Sequence, residues 1–251
     1  MSSPEIVIEP RAAELAADVA ERTQRVLAAA QREHPLAHLV VTGGSILESV
    51  LAAIREAPLH GLDWTRVAIW WGDERFVAAD SAERNDLVAC ELLFDHVSIA
   101  PHHLHRMPAL TKDAGAGELD EAALAYAGAL AAAAEPGVSP AVPAFDVVLL
   151  GMGPDGHCAS LFPGQPAVHE SGATVVGVAD SPKPPPLRIS LTFAALYAAR
   201  QIWVIASGEA KAVAVAKALA GGDPMEVPVA AARGRERTIW FLDNDAASLL
   251  P

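Results

Sequence analysis

The sequence predicts an α/β protein with a mainly parallel, doubly wound sheet and helices on both of its faces. Short apolar runs of strand length alternate along the chain with longer stretches of helical periodicity, which is the pattern of repeated strand–helix units. Several of the apolar runs lack a polar face, as do parallel strands that are buried on both sides. With 251 residues and 52% hydrophobic content, the chain can bury one substantial core, so we expect a single domain over residues 1–251.

Helical periodicity is clearest near the N-terminus. Residues 11–31 follow Pro10, and proline fits the first turn of a helix. Leu15, Val19 and Leu27 then fall on one face at a spacing close to 3.6 residues. Further helices are predicted over residues 46–56, 119–134 and 209–220.

Seven apolar runs are predicted as strands. They cover residues 39–41, 67–71, 145–150, 174–178, 187–191, 202–206 and 238–242. Each is too short for a typical helix, and most are rich in Val, Ile and Leu. Because helices separate many of them, we expect these strands to form a mainly parallel sheet.

The charge balance argues against two classes of partner. The net charge of −13 disfavours nucleic acids and anionic membranes, since both require a positive field on the protein. Cys90 and Cys158 lie far apart and form no metal-binding or redox pair, which fits a reducing compartment. The N-terminus does not resemble a signal peptide, and no apolar run approaches the ~20 residues of a membrane span. We therefore expect a cytoplasmic protein, either a monomer or a weak homo-oligomer.

Polar or glycine-rich clusters follow four of the predicted strands. They are residues 42–45, 72–75, 151–157 and 207–208. In an open α/β sheet, ligands bind at the carboxyl edge of the strands, so these clusters can converge on one crevice. The shared position of the four clusters is stronger evidence for a binding site than any one of the motifs.

The first two clusters suit an anionic ligand. Gly43, Gly44 and Ser45 lie between a strand and a helix, where backbone N–H groups and the helix dipole attract phosphate. The alternative is a tight turn whose serine only caps the helix. Asp73 and Arg75 lie at a strand end, where the arginine can grip a phosphate or carboxylate. The alternative for these charges is a surface ion pair.

The third cluster presents a histidine. Residues 151–156 contain the spacing G-x-G-x-x-G of a dinucleotide site, but Pro163 follows too soon for the long helix that such a site requires. We interpret the segment instead as a loop that presents His157 beside Asp155. Histidine is well suited to moving protons near neutral pH, although a lone histidine can also be structural.

A proline-rich segment, residues 180–188, allows two interpretations. It can be a polyproline ligand for a partner domain, or a stiff loop that holds Lys183 and Arg188 over an anionic substrate. We prefer the second, because cations are scarce in this acidic chain. The closely spaced histidines of residues 102–105 lack a recognisable ligand pattern, so no metal is expected. Since serine-hydrolase and P-loop motifs are also absent, water is the expected nucleophile.

Four blocks together resemble the 6-phosphogluconolactonase family. They are residues 41–45, residues 71–77 with Asn85 downstream, residues 145–164 (FDVVLLGMGPDGHCASLFPG) and residues 181–192 (SPKPPPLRISLT). The resemblance extends over most of the chain and implies the fold shared with glucosamine-6-phosphate deaminases. Cys158 departs from the expected threonine, and Ile46-Leu47 departs from the usual Thr-Pro.

The resemblance implies hydrolysis of 6-phospho-D-glucono-1,5-lactone to 6-phosphogluconate, without a cofactor. His157 is expected to act as general base and then acid, with Asp155 orienting it. The phosphate and ring would be held by Gly43, Gly44, Ser45, Arg75 and Lys183. Asp73 and Arg188 are expected to contact sugar hydroxyls or to hold the loops. The alternatives are a sugar-phosphate isomerase or deaminase of the same fold, and a sugar-phosphate sensor, which lacks support because no DNA-binding segment is evident.

Overall fold

The computed structural model describes residues 4–111 and 117–251, which form two sheets flanked by helices. The strands are β1 (Glu5–Glu9), β2 (Ala37–Val41), β3 (Val67–Trp71), β4 (Asp73–Arg75), β5 (Leu104–His105), β6 (Val147–Gly151), β7 (Val175–Val178), β8 (Arg188–Leu191), β9 (Gln201–Ala206) and β10 (Arg237–Asp243). The helices are α1 (Ala12–Glu33), α2 (Ser45–Glu56), α3 (Asn85–Leu92), α4 (Glu118–Ala133), α5 (Phe193–Leu196) and α6 (Ala212–Leu219).

The larger sheet is parallel, in the order β1-β10-β9-β6-β2-β3-β5. Every residue of β3 is buried, and so is every residue of β6 before Gly151. Since successive strand residues point to opposite faces, both faces of the central sheet are covered. The predicted class, α/β with a mainly parallel sheet, is confirmed.

Helix α1 shows how the apolar pattern becomes packing. Its buried face includes Leu15, Val19 and Leu27, each with no exposed surface, and the helix lies against α2 and strands of the large sheet. The helix ends at Glu33, where His34 and Pro35 leave the helical conformation. The predicted span of 11–31 therefore differs from the observed one only at its ends.

Two predicted strands do not belong to the large sheet. Strands β7 and β8 pair antiparallel with each other, and β8 pairs with β4 in a second, three-stranded sheet. The expectation that these apolar runs join a parallel sheet was wrong, because burial on both faces also occurs in a small antiparallel sheet packed within a protein. Strand β4 begins at Asp73, in what the sequence presents as a polar cluster, and it places Arg75 opposite Arg188.

Strand β1 was missed for a different reason. It lies at the edge of the large sheet beside β10, and Glu5, Ile6 and Ile8 are exposed. An edge strand has only one neighbour and buries little, so its apolar run is short and is flanked by charged residues. The acidic composition of the N-terminus concealed it.

The strand order brings the four predicted clusters together. Strands β9, β6, β2 and β3 are neighbours, and each of the four clusters follows one of them. The Thr42 hydroxyl links two of these loops, since it accepts a hydrogen bond from the Gly151 amide at 3.1 Å. It also donates to the Leu149 carbonyl at 3.2 Å. The carboxyl edge of the sheet is therefore one continuous surface of loops.

Candidate active site

A cleft of about 520 Å³ opens at this edge of the sheet. The predicted site residues that line it are Gly43, Gly44, Ser45, Asp73, Arg75, His157, Lys183 and Arg188. Asp155 does not line the cleft, but it contacts His157. The structure thus brings together residues from four segments of the chain, separated by as many as 145 positions in the sequence, between Gly43 and Arg188.

His157 and Asp155 form a close pair. His157 Nδ1 lies 2.5 Å from Asp155 Oδ1, and the imidazole packs against the Phe162 ring at a centroid distance of 4.6 Å. The loop closes on itself because the Gly153 amide donates to the His157 carbonyl at 2.9 Å. An ionised carboxylate can only accept a hydrogen bond, so Nδ1 carries the proton. In neutral His157, Nε2 is therefore the nitrogen with a lone pair available to a ligand.

The Asp155 carboxyl is held in its ionised form. Burial alone would raise the pKa of Asp155, but the hydrogen bond from His157 and the charges of His157 and Lys183 outweigh this and lower it. The carboxylate therefore remains an acceptor across the neutral pH range. It can fix the ring orientation of His157 and stabilise the imidazolium when His157 takes up a proton.

Lys183 lies next to this pair. Its Nζ is 3.2 Å from His157 Nδ1 and 3.4 Å from Asp155 Oδ1. Because Nδ1 donates to Asp155, its approach to Lys183 is a close contact between two N–H groups. The carboxylate is shared by both side chains. Lys183, which the sequence places in the phosphate cradle, thus has its ammonium beside the expected general base.

Arg188 holds the loop that carries Lys183. Its Nε donates to the Pro185 carbonyl at 2.8 Å, and its Nη2 donates to the carbonyls of Pro184 at 3.0 Å and Lys183 at 3.2 Å. Three main-chain acceptors occupy much of the guanidinium. Of the two roles expected for Arg188, holding the loop is the one that these contacts support.

Gly43 and Gly44 make the loop between β2 and α2 compact. A side chain at Gly43 would overlap the Asn85 amide, and Gly44 has a φ of 116°, a conformation that favours glycine. Helix α2 begins at Ser45 without a side-chain cap, which argues against the alternative that this serine serves only as a cap. The start of α2 therefore opens into the cleft with backbone N–H groups suited to an anion.

Asp73 and Arg75 are anchored differently. The buried Asp73 carboxylate accepts a hydrogen bond from Ser160 Oγ at 2.7 Å, so it connects strand β4 to the loop that carries His157. Arg75 donates from Nη1 to the Glu83 carbonyl at 2.5 Å. Its Nε is buried without a hydrogen-bond partner among the residues that the structure describes. An anion in the cleft is a suitable partner for this guanidinium.

Two further residues of the cleft were absent from the predicted site. Asn85 appeared only in the family resemblance, yet it lines the cleft and donates from Nδ2 to the Asp73 carbonyl at 3.1 Å. Lys211 also lines the cleft, and burial together with the charge of Lys183 lowers its pKa. The signal for Lys211 was its position shortly after the cluster at residues 207–208.

The histidines of residues 102–105 take other roles. His102 and His103 contact each other, and His105 stacks on Trp70 at a centroid distance of 3.7 Å. Across residues 4–111 and 117–251, no group of three or more His, Cys, Asp or Glu side chains is arranged to hold a metal ion. The same part of the chain contains no helix long and apolar enough to cross a membrane.

Fold and cleft together define an α/β enzyme class with a cleft that is lined by cations and lies beside a histidine–carboxylate pair. The family described as glucosamine-6-phosphate isomerases/6-phosphogluconolactonase matches residues 10–240, and the chain belongs to this family. This confirms the family resemblance found in the sequence.

Individual relatives are similar over their whole length. A protein of Mycobacterium tuberculosis named 6-phosphogluconolactonase is 47% identical over 249 residues, with 99% of each chain covered. One of Streptomyces coelicolor with the same name is 46% identical over 250 residues, covering 99% of this chain and 95% of the relative. The structure of 6-phosphogluconolactonase from Trypanosoma brucei is similar with a TM-score of 0.84 at 29% identity, covering all of both chains.

Proposed function

We propose that this protein hydrolyses 6-phospho-D-glucono-1,5-lactone to 6-phosphogluconate, as a step of the oxidative pentose phosphate pathway. The observation that carries the proposal is the His157–Asp155 pair in a cleft rich in cations. Relatives named 6-phosphogluconolactonase at 46% and 47% identity support the same activity. No metal or other cofactor is needed for this reaction.

The histidine moves the protons of the reaction. Neutral His157 accepts a proton at Nε2 from a water molecule while the water oxygen attacks C1 of the lactone. The electron pair of the carbonyl moves onto its oxygen and gives a tetrahedral oxyanion. When the bond between C1 and the ring oxygen breaks, the imidazolium protonates that oxygen. Asp155 stabilises the imidazolium between these two transfers.

The cations of the cleft bind the phosphorylated end. Four of them line it, Arg75, Lys183, Arg188 and Lys211, although the whole protein has a net charge of −13. We assign the phosphate to the start of α2 at Gly43, Gly44 and Ser45, together with Arg75 and Lys211. Backbone N–H groups and fixed cations recognise phosphate through charge-assisted hydrogen bonds. Asp73 is assigned to holding the His157 loop.

We also propose a cytoplasmic enzyme that acts without a nucleic acid or membrane partner. Both cysteines, Cys90 and Cys158, are buried and unpaired, as expected in a reducing compartment. The negative net charge argues against the anionic partners. The assignment as a monomer or weak homo-oligomer stays a prediction from the sequence.

The direct test measures proton release from freshly prepared phosphorylated lactone above the spontaneous background, and ammonia release from glucosamine 6-phosphate. We expect the first activity. Release of ammonia instead would assign the protein to the deaminases and refute the proposal.

The histidine is tested by substitution. His157→Ala should lower kcat by about 10²–10⁴, the range for a positioned acid–base group, while affinity for inorganic phosphate is retained. His169→Ala is the matched control, because His169 is exposed and lies outside the cleft. If His157→Ala retained most of kcat, His157 would be excluded as the base.

A further inference from the structure

Lys183 occupies a position that the binding of phosphate does not explain. Its Nζ lies within 3.2 Å of His157 Nδ1 and 3.4 Å of Asp155 Oδ1, so the ammonium belongs to the same cluster as the base. A water molecule activated by His157 must lie within hydrogen-bond reach of Nε2, at about 2.6–3.2 Å. The carbonyl carbon that it attacks must lie about 3–3.5 Å from the water. Nε2 and Nδ1 belong to the same ring, so the reacting carbonyl lies a few ångströms beyond the contact that the ammonium makes with Nδ1.

The main chain around Lys183 is fixed. Ser181 Oγ accepts from the Lys183 amide at 3.2 Å and donates to the Lys183 carbonyl at 2.9 Å. Arg188 donates to the same carbonyl and to those of the two following prolines. The main chain that carries the Lys183 side chain is thus held by several hydrogen bonds.

The Lys183 ammonium has N–H donors that its contacts within the protein do not use. Lysine carries three N–H bonds and no acceptor, and Asp155 can accept one of them. His157 Nδ1 cannot accept another, because it donates its own proton to Asp155. About 39% of the Lys183 side chain is exposed, and the residue lines the cleft, so the remaining donors can reach a ligand there.

Other groups are available for the phosphate. The start of α2, Arg75 and Lys211 all line the cleft, and the buried Nε of Arg75 has no hydrogen-bond partner among the described residues. Lys211 makes no close ion pair among the residues that the structure describes, although the charges of Lys183 and Asp155 act on it, whereas Lys183 lies 3.4 Å from the Asp155 carboxylate. This difference separates a cation suited to binding from one suited to the chemical step.

We propose that Lys183 is a catalytic residue that stabilises the oxyanion formed at C1 and then the new carboxylate of the product. The proposal rests on the lactonase function proposed above. As water adds to C1 and its proton passes to His157, the negative charge on the carbonyl oxygen receives a hydrogen bond from Lys183, which keeps all its protons. After the ring oxygen leaves with the proton from His157, the product acid ionises to solvent, and its carboxylate pairs with the ammonium.

The test compares Lys183→Met with Lys211→Met, two variants that remove one cation each from the same cleft. Each enzyme is assayed with the phosphorylated lactone and with unphosphorylated glucono-1,5-lactone. Lys183→Met should lower kcat for the phosphorylated lactone by about 10²–10³, as the loss of an oxyanion donor does. It should also lower kcat/KM for the unphosphorylated lactone. Lys211→Met should mainly raise KM for the phosphorylated lactone.

Binding of two product fragments provides a second readout. Calorimetry with gluconate, which has the carboxylate but no phosphate, should show weaker binding to Lys183→Met, whereas inorganic phosphate should bind it as it binds the wild type. Lys211→Met should show the reverse. Lys183→Arg should recover part of kcat, because it restores the cation.

The outcomes separate this inference from the proposed function. If Lys183→Met raises KM only for the phosphorylated lactone, keeps kcat and loses affinity for inorganic phosphate, Lys183 binds phosphate and the inference is wrong. In that case wild-type lactonase activity and its dependence on His157 would be unaffected. If the wild type does not hydrolyse the phosphorylated lactone, the proposed function itself fails.

Discussion

A substitution at Gly153 tests the geometry of the proposed base without altering any functional group. A methyl group at this position would overlap the His157 ring and the Asp155 carboxylate. Gly153 is not among the glycines with positive φ, so alanine suits its backbone and the conflict is purely steric. Gly153→Ala must therefore displace the side chains of the pair.

The size of the displacement sets the expected loss. Non-bonded carbon atoms approach to about 3.5 Å, so the ring must move by about 1 Å or more. A misplacement of about 1 Å can cost about 10²-fold in rate, and we expect kcat of Gly153→Ala to fall by about that factor. Affinity for inorganic phosphate should change little, because the start of α2 and Arg75 are untouched.

The assay is steady-state hydrolysis of the phosphorylated lactone, corrected for spontaneous opening, beside thermal unfolding. Gly128→Ala in α4 is the matched control, because a methyl group there meets nothing within 4 Å. This control should retain wild-type kcat and gain about 0.5–1 kcal/mol in stability as a helix substitution. A folded Gly153→Ala with wild-type kcat would refute the proposed geometry of the base.

Three further predictions concern the phosphate, metals and acid stability. Arg75→Ala should raise KM for the phosphorylated lactone by about one to two decades, since a charge-assisted contact contributes about 1.5–3 kcal/mol. An equal rise in KM for the unphosphorylated lactone would contradict the assignment of Arg75 to the phosphate. EDTA should leave kcat unchanged, and inactivation reversed by one metal would contradict a metal-free mechanism. Burial and neighbouring histidines lower the pKa values of His38 and His105 from 6.5 to about 4, so both are neutral in the folded protein at pH 7. Their contribution to stability is present above pH 6.5 and is lost as the pH falls toward 4, so the wild type should lose more stability than His38→Gln over this range. After a discount for partial exposure, the difference between the two proteins in urea unfolding should be roughly 1–2 kcal/mol. Parallel pH profiles of the two proteins would refute it.

The sequence predicted which residues line the cleft. It did not predict that some of them belong to a second, antiparallel sheet. Glycines and charged residues after apolar strands are local signals, and parallel strands necessarily end at a common edge. Gly43, Arg75 and His157 could therefore be assigned to one cleft before their distances were known. Their convergence required only that the parent strands be neighbours, and β9, β6, β2 and β3 are.

The sequence could not reveal which strands pair with each other. Strand β8 has four buried residues, as a central parallel strand has, so its burial pattern does not distinguish the two kinds of sheet. Strand β4 is only three residues long and includes charged side chains. Lys211 was missed because it belongs to a turn at the start of a helical segment, where a lysine is ordinary in composition.

Both sheets contribute residues to the site. His157 follows β6 of the parallel sheet, whereas Lys183 lies on the loop before β8 of the antiparallel sheet. Two hydrogen bonds hold these parts in register: Ser160 Oγ donates to Asp73 on β4 at 2.7 Å, and the Ser160 amide donates to Ser190 Oγ on β8 at 3.1 Å. The base and the neighbouring cation are therefore positioned by contacts between the sheets. Because packed interiors tolerate little displacement, a change at either contact should move one group relative to the other. The distances from Lys183 to Asp155 and His157 consequently depend on how the two sheets are joined, whereas the contact between Asp155 and His157 lies within the histidine loop.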